Sequence, residues 1–168
     1  MMNQFARYKC AATATAILFA GPVAAIAGPE EDLRAGIDAF NQGDVVAAMA
    51  LYRVAADAGL AEAQVRLAYI LDYSEDNDGA VTWYRAAAEQ GNADGQIGLG
   101  EMYAKGEGTE RDLEKAVEYI ELAADSGHQR AIRVLSQAYE DGGLGLQADP
   151  ERAAYWKKRL ATEGPEND

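Results

Sequence analysis

The sequence predicts an all-α protein, a short α/α-solenoid of about four stacked helix pairs. Three observations support this fold class. First, 49% of the residues are hydrophobic and many are alanine, the strongest helix former, whereas runs of β-branched residues are missing. Second, a small set of residue types recurs at spacings of 32 to 37 residues. Third, each recurrence ends in a glycine, the residue that most often follows the last turn of a helix.

The first 27 residues differ in composition from the rest and predict a secretory signal peptide. Arg7 and Lys9 are their only charged residues, and an apolar run follows that ends in Ala-Ile-Ala at residues 25–27. A basic start, a short apolar segment and small residues at the end are the parts of a signal sequence. A transmembrane anchor is the alternative, but the run contains a Gly-Pro pair and is shorter than the roughly 20 residues of a span.

Cleavage near Ala27 would leave a periplasmic or secreted chain with no membrane span. It would also remove Cys10, the only cysteine, so the mature protein has no disulfide and depends on packing for stability. The predicted solenoid then covers residues 28–162, and the polar residues 163–168 are predicted to form a disordered tail.

Three columns of residues keep one spacing through the predicted solenoid. The first is a glycine that closes an Ala-Ala-x-x-Gly motif in three copies, the second is a large residue, and the third is an alanine three positions before it. The columns are Gly59, Gly91, Gly127 and Gly164; Leu51, Trp83, Tyr119 and Trp156; and Ala48, Ala80, Ala116 and Ala153. Three columns with one spacing indicate an internal repeat.

Each repeat contains a first helix whose small, leucine and ring positions share one face. The copies centre on Leu67, Leu99 and Leu135. A small residue lies four positions before each of these leucines and a tyrosine or leucine lies four positions after it, and spacings of four and eight place them on one helical face. Small residues on that face allow a neighbouring helix to approach closely.

Each second helix has start and stop signals. Asp44, Asp112 and Asp149 lie at N-cap positions, and glycines such as Gly59 fit the left-handed position after the last turn. Residues 72–79 are predicted to form a shortened loop between two helices. The predicted helices are 31–41, 45–58, 61–72, 79–90, 93–104, 112–126, 129–140 and 150–162.

These motifs resemble the Sel-one-like repeat (SLR) family, whose repeats are related to the tetratricopeptide repeat. The resemblance covers roughly residues 40 to 164. The copy from Gly95 to Gly127 matches best, through Leu99, Gly100, Tyr103, Gly106, Gly108, Asp112, Lys115, Ala116, Tyr119, Ala123, Ala124 and Gly127. Gly95 departs from the pattern, since the family has alanine there.

The resemblance implies an adaptor or regulator, often exported in bacteria, that presents a concave surface to a protein or peptide. Some cysteine-rich members bridge each helix pair with a disulfide, but this chain lacks those cysteines. A link of a few members to penicillin binding or hydrolysis does not transfer, because the sequence has no Ser-x-x-Lys motif.

Residues for catalysis or for metal binding are scarce, so we predict no enzyme activity, no cofactor and no metal site. His128 is the only histidine, which is too few for a zinc site, and it follows a helix-ending glycine where a capping or solvent-facing role is expected. An EF-hand loop counted from Ser74 has Arg85 where glutamate is required, so a solvated capping loop is the better interpretation. A cell-envelope hydrolase or glycan-binding protein that uses acidic groove residues is the alternative function.

Candidate partner-binding residues lie on the first helices, opposite the face that packs into the core. In solenoids these helices tend to line the concave side, and arginine with tyrosine is the usual composition of interaction hot spots. The candidates are Arg66, Tyr69, Tyr73, Glu101, Arg130, Arg133 and Gln137, with Glu62, Val65, Asp94 and Ile97 on the same predicted face. An ordinary solvated helix surface is the alternative interpretation.

The formal net charge of -13 excludes one class of partner. An acidic surface repels phosphate backbones, so nucleic-acid binding through a basic patch is not expected. We predict instead a protein or peptide partner in the cell envelope or outside the cell; the sequence leaves the oligomeric state open.

Overall fold

A computed structural model describes residues 28–162, and this part of the chain contains eight α-helices and no strand. The helices are α1 (Pro29–Asn41), α2 (Val45–Asp57), α3 (Ala61–Tyr73), α4 (Asn77–Glu89), α5 (Ala93–Lys105), α6 (Leu113–Asp125), α7 (Gln129–Asp141) and α8 (Pro150–Thr162), with a short 3-10 turn at Gly143–Gly145. All bounds fall within two residues of the predicted ones. The predicted signal peptide and the predicted disordered tail lie outside the described residues.

The helices pack as four consecutive pairs, which confirms the predicted all-α solenoid. The most extensive contacts lie within the pairs α1–α2, α3–α4, α5–α6 and α7–α8, and each pair stacks on the next. The predicted leucines Leu67, Leu99 and Leu135 are fully buried between these helices, beside alanines that are also fully buried. Small residues therefore set the close spacing of the helices, and the leucines fill the remaining core volume.

Aspartate N-caps begin the second helix of every pair. The carboxylates of Asp44 and Asp112 each accept a hydrogen bond from the backbone N–H three residues on, at 3.0 Å, and Asp149 accepts from the N–H groups two and three residues on. These three caps were predicted. The fourth cap is Asp76, whose carboxylate accepts from the N–H of Gly79 at 3.2 Å.

The predicted loop 72–79 is wrong in one respect. Because Asp76 caps the helix, Asn77 and Asp78 already belong to α4, and Gly79 is the third residue of the helix instead of the first. The turn between α3 and α4 is closed by Glu75, which has a left-handed φ of 65° where each of the other six turns between the helices uses a glycine. The interpretation of this segment as a capping loop, and not a calcium loop, agrees with the Asp76 contact.

The aromatic residues in the column of large residues lie in two different environments. Trp156 is buried, whereas Trp83 and Tyr119 are half-buried and pack against the edge of the core. Tyr119 stacks on Tyr103, with ring centroids 5.9 Å apart. In the first three copies the residue after the column is the more deeply buried one, namely Tyr52, Tyr84 and Ile120. The core face of these three second helices therefore contains the predicted alanine column and the residue after the large one.

A glutamine bridge joins α3 to the end of α4, and the next pair lacks its equivalent. Nε2 of the buried Gln64 donates to the carbonyl of Ala56 at 3.2 Å, and its Oε1 accepts from Gln90 at 2.7 Å. Gln90 occupies the C-cap of α4, a position that Ser126 occupies in α6. The repeat counterpart of Gln64 is Gln96, whose Oε1 is buried and accepts no hydrogen bond from the described residues.

The substitution Ser126→Gln is expected to raise the free energy of unfolding by about 1 kcal/mol, because it supplies the missing donor to a buried acceptor. Chemical denaturation followed by circular dichroism measures the change. In a Gln96→Leu background the same substitution should give no gain, since the acceptor is gone. An equal gain in both backgrounds would show that the hydrogen bond is not the cause.

Candidate partner-binding groove

A hollow of about 560 Å³ crosses the first helices of all four pairs. Its wall is built from α1, α3, α5 and α7, with two tyrosines that reach in from the second helices α2 and α4. The lining residues are Phe40, Tyr52, Glu62, Val65, Arg66, Tyr69, Asp72, Tyr84, Asn92, Asp94, Gly98, Glu101 and Arg130. We call this the central hollow.

The floor of the central hollow is formed by Tyr52 and Tyr84, each packed on a glycine of a first helix. A Cβ atom added to Gly98 would lie 2.5 Å from the ring of Tyr84, and one added to Gly36 would lie 2.6 Å from the ring of Tyr52. The glycines thus leave the space that the rings occupy. Both rings are almost completely buried, and they give the hollow an aromatic base.

Ion pairs line the walls of the central hollow. Arg66 donates from Nε and from Nη2 to the Glu62 carboxylate, at 3.1 and 2.9 Å. Arg130 of α7 forms an ion pair with Glu101 of α5, which joins the first helices of two neighbouring pairs. Both guanidinium groups are therefore already engaged by a carboxylate.

The two floor tyrosines remain neutral at physiological pH. Burial raises the pKa of Tyr84, the carboxylates of Asp72 and Glu101 raise it further, and Arg130 lowers it in part. Burial also raises the pKa of Tyr52, against a lowering effect of Arg66. Both phenols therefore keep their protons.

A second hollow of about 510 Å³, the side hollow, adjoins the first. The two hollows share Tyr69 and Asp72, and together we call them the groove. The residues lining the side hollow are Tyr69, Asp72, Tyr73, Glu75, Asn77, Lys105 and Glu107. Lys105 forms an ion pair with Glu107 at 3.1 Å, and Tyr73 exposes 85% of its surface.

The structure brings most of the predicted partner-binding residues together. Arg66, Tyr69, Glu101 and Arg130 line the central hollow, and Tyr73 lines the side hollow. Arg133 and Gln137 are exposed on α7 but line neither hollow, and Gln137 instead donates to Asp141 at 3.0 Å. The groove thus contains five of the seven predicted residues.

One residue that was predicted to lie opposite the core-facing side of the first helices is buried. Ile97 is only 1% exposed and belongs to the core cluster that also contains Ile132, because α5 contacts α4 and α6 as well as α3 and so has little free surface. The periodicity of a single helix does not reveal how many neighbours the helix has.

Sequence reasoning missed Phe40, Tyr52, Asp72 and Tyr84 as groove residues. A signal was present for the two buried tyrosines, since Tyr follows the column residue directly in two copies, at positions 52 and 84. The repeat-structural residues carry no groove contact: Leu67, Trp83, Gly91, Leu99, Tyr103, Tyr119, Gly127, Leu135 and Trp156 line neither hollow.

The described residues hold no group of three or more histidine, cysteine, aspartate or glutamate side chains arranged to bind a metal ion. Between residues 28 and 162, no helix has the length and apolar character needed to cross a membrane. His128 contacts Asp94 through Nε2 at 3.0 Å, so this histidine joins α5 to the start of α7.

Comparison with known protein families establishes which family the repeat belongs to. The model of the Sel1 repeat matches four consecutive stretches, residues 36–60, 61–92, 93–128 and 129–165. The chain belongs to the Sel1 repeat family. The second, third and fourth stretches each begin within one residue of α3, α5 and α7, so one Sel1 repeat corresponds to one helix pair.

Two solved structures show the same fold. The Sel1 repeat protein from Oxalobacter formigenes is 30% identical, with a TM-score of 0.72 over 82% of this chain and 42% of its own. The protective antigen c5321, present in uropathogenic Escherichia coli strains and displaying an SLR fold, is 29% identical, with a TM-score of 0.72 over 83% of this chain and 31% of its own. This chain therefore spans less than half the length of either structure.

No curated protein sequence matches this chain. The Sel1 repeat fold is generally a protein–protein interaction module, and Sel1 repeat proteins are typically non-enzymatic scaffolds. The family thus supports an interaction module that binds protein partners.

Proposed function

We propose that this protein is an exported adaptor or regulator that binds an extended segment of a partner protein in the groove. One observation carries the proposal: a hollow lined by tyrosines and arginines extends over the first helices of all four repeats. A surface of this kind contacts a ligand over several repeats at once, which is how stacked-repeat proteins bind peptides and proteins.

Two exposed tyrosines on α3 supply the anchors. Tyr69 and Tyr73 lie one turn apart and expose 56% and 85% of their surfaces. A tyrosine buries a large apolar area and loses only a few rotamers on binding, which makes it a frequent hot spot. Arg66 and Arg130 line the central hollow together with Tyr69.

Export is supported by the composition of residues 1–27, with its basic start, apolar run and small-residue end. The only cysteine lies in that segment, so a mature chain would be unaffected by an oxidising compartment. The partner is accordingly proposed to be a protein of the envelope or of the extracellular space.

The variant Tyr69→Ala is expected to weaken partner binding by about tenfold or more, because it removes an exposed anchor without opening the core. The protein is expressed with its leader in a bacterial host and recovered from the periplasm, where its intact mass should correspond to a chain that begins near residue 28. It is then used to capture envelope proteins. A partner retained by the native protein and lost by the variant supports the proposal.

The control is Tyr155→Ala on α8, since Tyr155 exposes 55% of its surface but lines neither hollow. Equal loss of the partner from both variants would show that the groove is not the binding surface. If no protein is retained and an envelope glycan instead raises the melting temperature, the protein is a glycan-binding or hydrolytic protein and not an adaptor.

A further inference from the structure

The groove has an excess of negative charge that its own cations do not neutralise. Six carboxylates line the two hollows, against three basic side chains. The carboxylates belong to Glu62, Asp72, Glu75, Asp94, Glu101 and Glu107, and the basic residues are Arg66, Lys105 and Arg130. Each basic residue is already in an ion pair, with Glu62, Glu107 and Glu101 respectively.

Asp94 is also engaged, because it contacts His128. Within residues 28–162, only the carboxylates of Asp72 and Glu75 remain in the groove without an ion pair. Asp72 lies on α3 where the two hollows meet, one turn after Tyr69 and directly before Tyr73 in the sequence. The groove thus contains a carboxylate without an ion pair on the same helix as two exposed tyrosines.

Tyr84 provides a second, independent observation. Its side chain is only 5% exposed and lines the central hollow, yet its hydroxyl forms no hydrogen bond with the described residues. The groups close enough to affect its pKa are Asp72, Glu101, Arg130 and Tyr69, all of which line the hollow. The hydroxyl therefore lies at the central hollow, where it is available to form a hydrogen bond with a ligand.

The charges and hydrogen-bonding groups of the groove favour a cationic ligand over an anionic one. An anionic group would have to displace Glu62 or Glu101 from its arginine, and it would face Asp72 at the same time. A cation instead finds a free carboxylate, the faces of two tyrosines and a hydroxyl oxygen that accepts a hydrogen bond. Aromatic faces attract lysine and arginine, more often arginine, and the attraction is stronger where water is excluded.

We propose that the groove recognises a basic peptide segment, with one lysine or arginine side chain held by Asp72, Tyr69 and the Tyr84 hydroxyl, and a second basic residue attracted to Tyr73 and Glu75. This inference rests on the proposed function, since it specifies the partner segment for the same groove. The charge of the protein, -13 overall, favours the approach of such a segment from a distance.

Selection from a phage-displayed library of random linear dodecamers tests the proposal on the purified protein. We expect the enriched sequences to contain two or more lysine or arginine residues, and the enriched peptide, made synthetically, to bind more weakly as the NaCl concentration rises. An apolar or acidic consensus that competes for the groove would overturn the basic-segment proposal and leave the adaptor function standing. Enrichment of no sequence, or of sequences insensitive to Tyr69→Ala, would overturn both.

Matched variants then locate the contact. The double variant Asp72→Asn/Glu75→Gln should weaken the selected peptide by about tenfold or more, because it removes both free carboxylates and keeps the shape of the side chains. The control is Asp57→Asn/Glu118→Gln, which changes the net charge equally at exposed positions outside the groove. Equal weakening by the two double variants would show that overall charge, and not a site, holds the peptide.

The variant Tyr84→Phe keeps the ring on Gly98 and removes only the hydroxyl, so the fold should be unchanged by circular dichroism. We expect the selected peptide to bind about tenfold more weakly or worse, the effect of one lost hydrogen bond to a charged group. Unchanged affinity would remove Tyr84 from the site and overturn this part of the proposal.

Discussion

Truncation of Leu99 to alanine is expected to lower the free energy of unfolding by about 3 kcal/mol. Leu99 lies in the middle of α5 and is fully buried in the hydrophobic core, in one cluster with residues of α3 and α4. The substitution removes three carbon atoms and leaves a cavity that the surrounding helices cannot fill without moving. Because each repeat is stabilised by its neighbours, loss of this contact weakens the stack on both sides.

Urea denaturation followed by circular dichroism measures the effect. The control is Leu122→Ala on α6, since Leu122 exposes 48% of its surface and its truncation should cost well under about 1 kcal/mol. Similar losses at both positions would mean that Leu99 is not a core residue, and this would contradict the packing of the repeats described above.

The second large effect is expected for Gly108→Ala, with a loss of about 3 kcal/mol in the free energy of unfolding. Gly108 lies between α5 and α6 and has a left-handed φ of 63°. An added Cβ would lie 2.3 Å from the carbonyl oxygen and 2.4 Å from the carbonyl carbon of Asn77. Asn77 is the first residue of α4, so the clash would displace backbone that Asp76 caps, and a backbone clash cannot be relieved by rotating a side chain.

The variant Gly59→Ala distinguishes the cost of the left-handed conformation from the cost of the clash with the Asn77 backbone. Gly59 has a φ of 92°, but an added Cβ would meet no atom within 4 Å. Its substitution should therefore cost only the left-handed conformation, about 1 kcal/mol. Thermal or chemical denaturation of the two variants gives the difference. Equal losses at positions 59 and 108 would contradict the close contact between the loop before α6 and the start of α4.

The repeat made the fold predictable from one sequence. Columns of alanine, leucine and glycine fixed the number of pairs, and aspartate caps fixed most helix starts. The errors concern features that depend on tertiary contacts. Asp76 was read as part of an acidic loop, because sequence alone does not show which of several neighbouring acidic residues turns to the helix end.

Gly95 illustrates the same limit. The family pattern has alanine there, and alanine is the better helix former. In the structure an added Cβ would lie 2.6 Å from the Cβ of Ala87 and 2.9 Å from the backbone nitrogen of Ala88. The closer approach of α4 and α5 at this point explains the departure, and only the three-dimensional packing reveals it.

The candidate site was predictable in part. Residues one turn apart on α3 were correctly placed on one face, because helical periodicity determines the face. Tyr52 and Tyr84 were missed, since they come from second helices and enter the groove only through the space above Gly36 and Gly98. Arg133 and Gln137 share the variable character of the groove residues, but of the residues of α7 only Arg130, at its start, lines the central hollow.

Site-specific photo-cross-linking tests most directly the central claim that a partner binds in the groove. Tyr69 in one sample and Tyr155 in another is replaced by p-benzoyl-phenylalanine, and each protein is irradiated with the captured partner. The two tyrosines are equally exposed, on α3 and on α8. We predict a cross-linked product from position 69 and none from position 155. A product from position 155 alone, or equal products from both, would contradict the account.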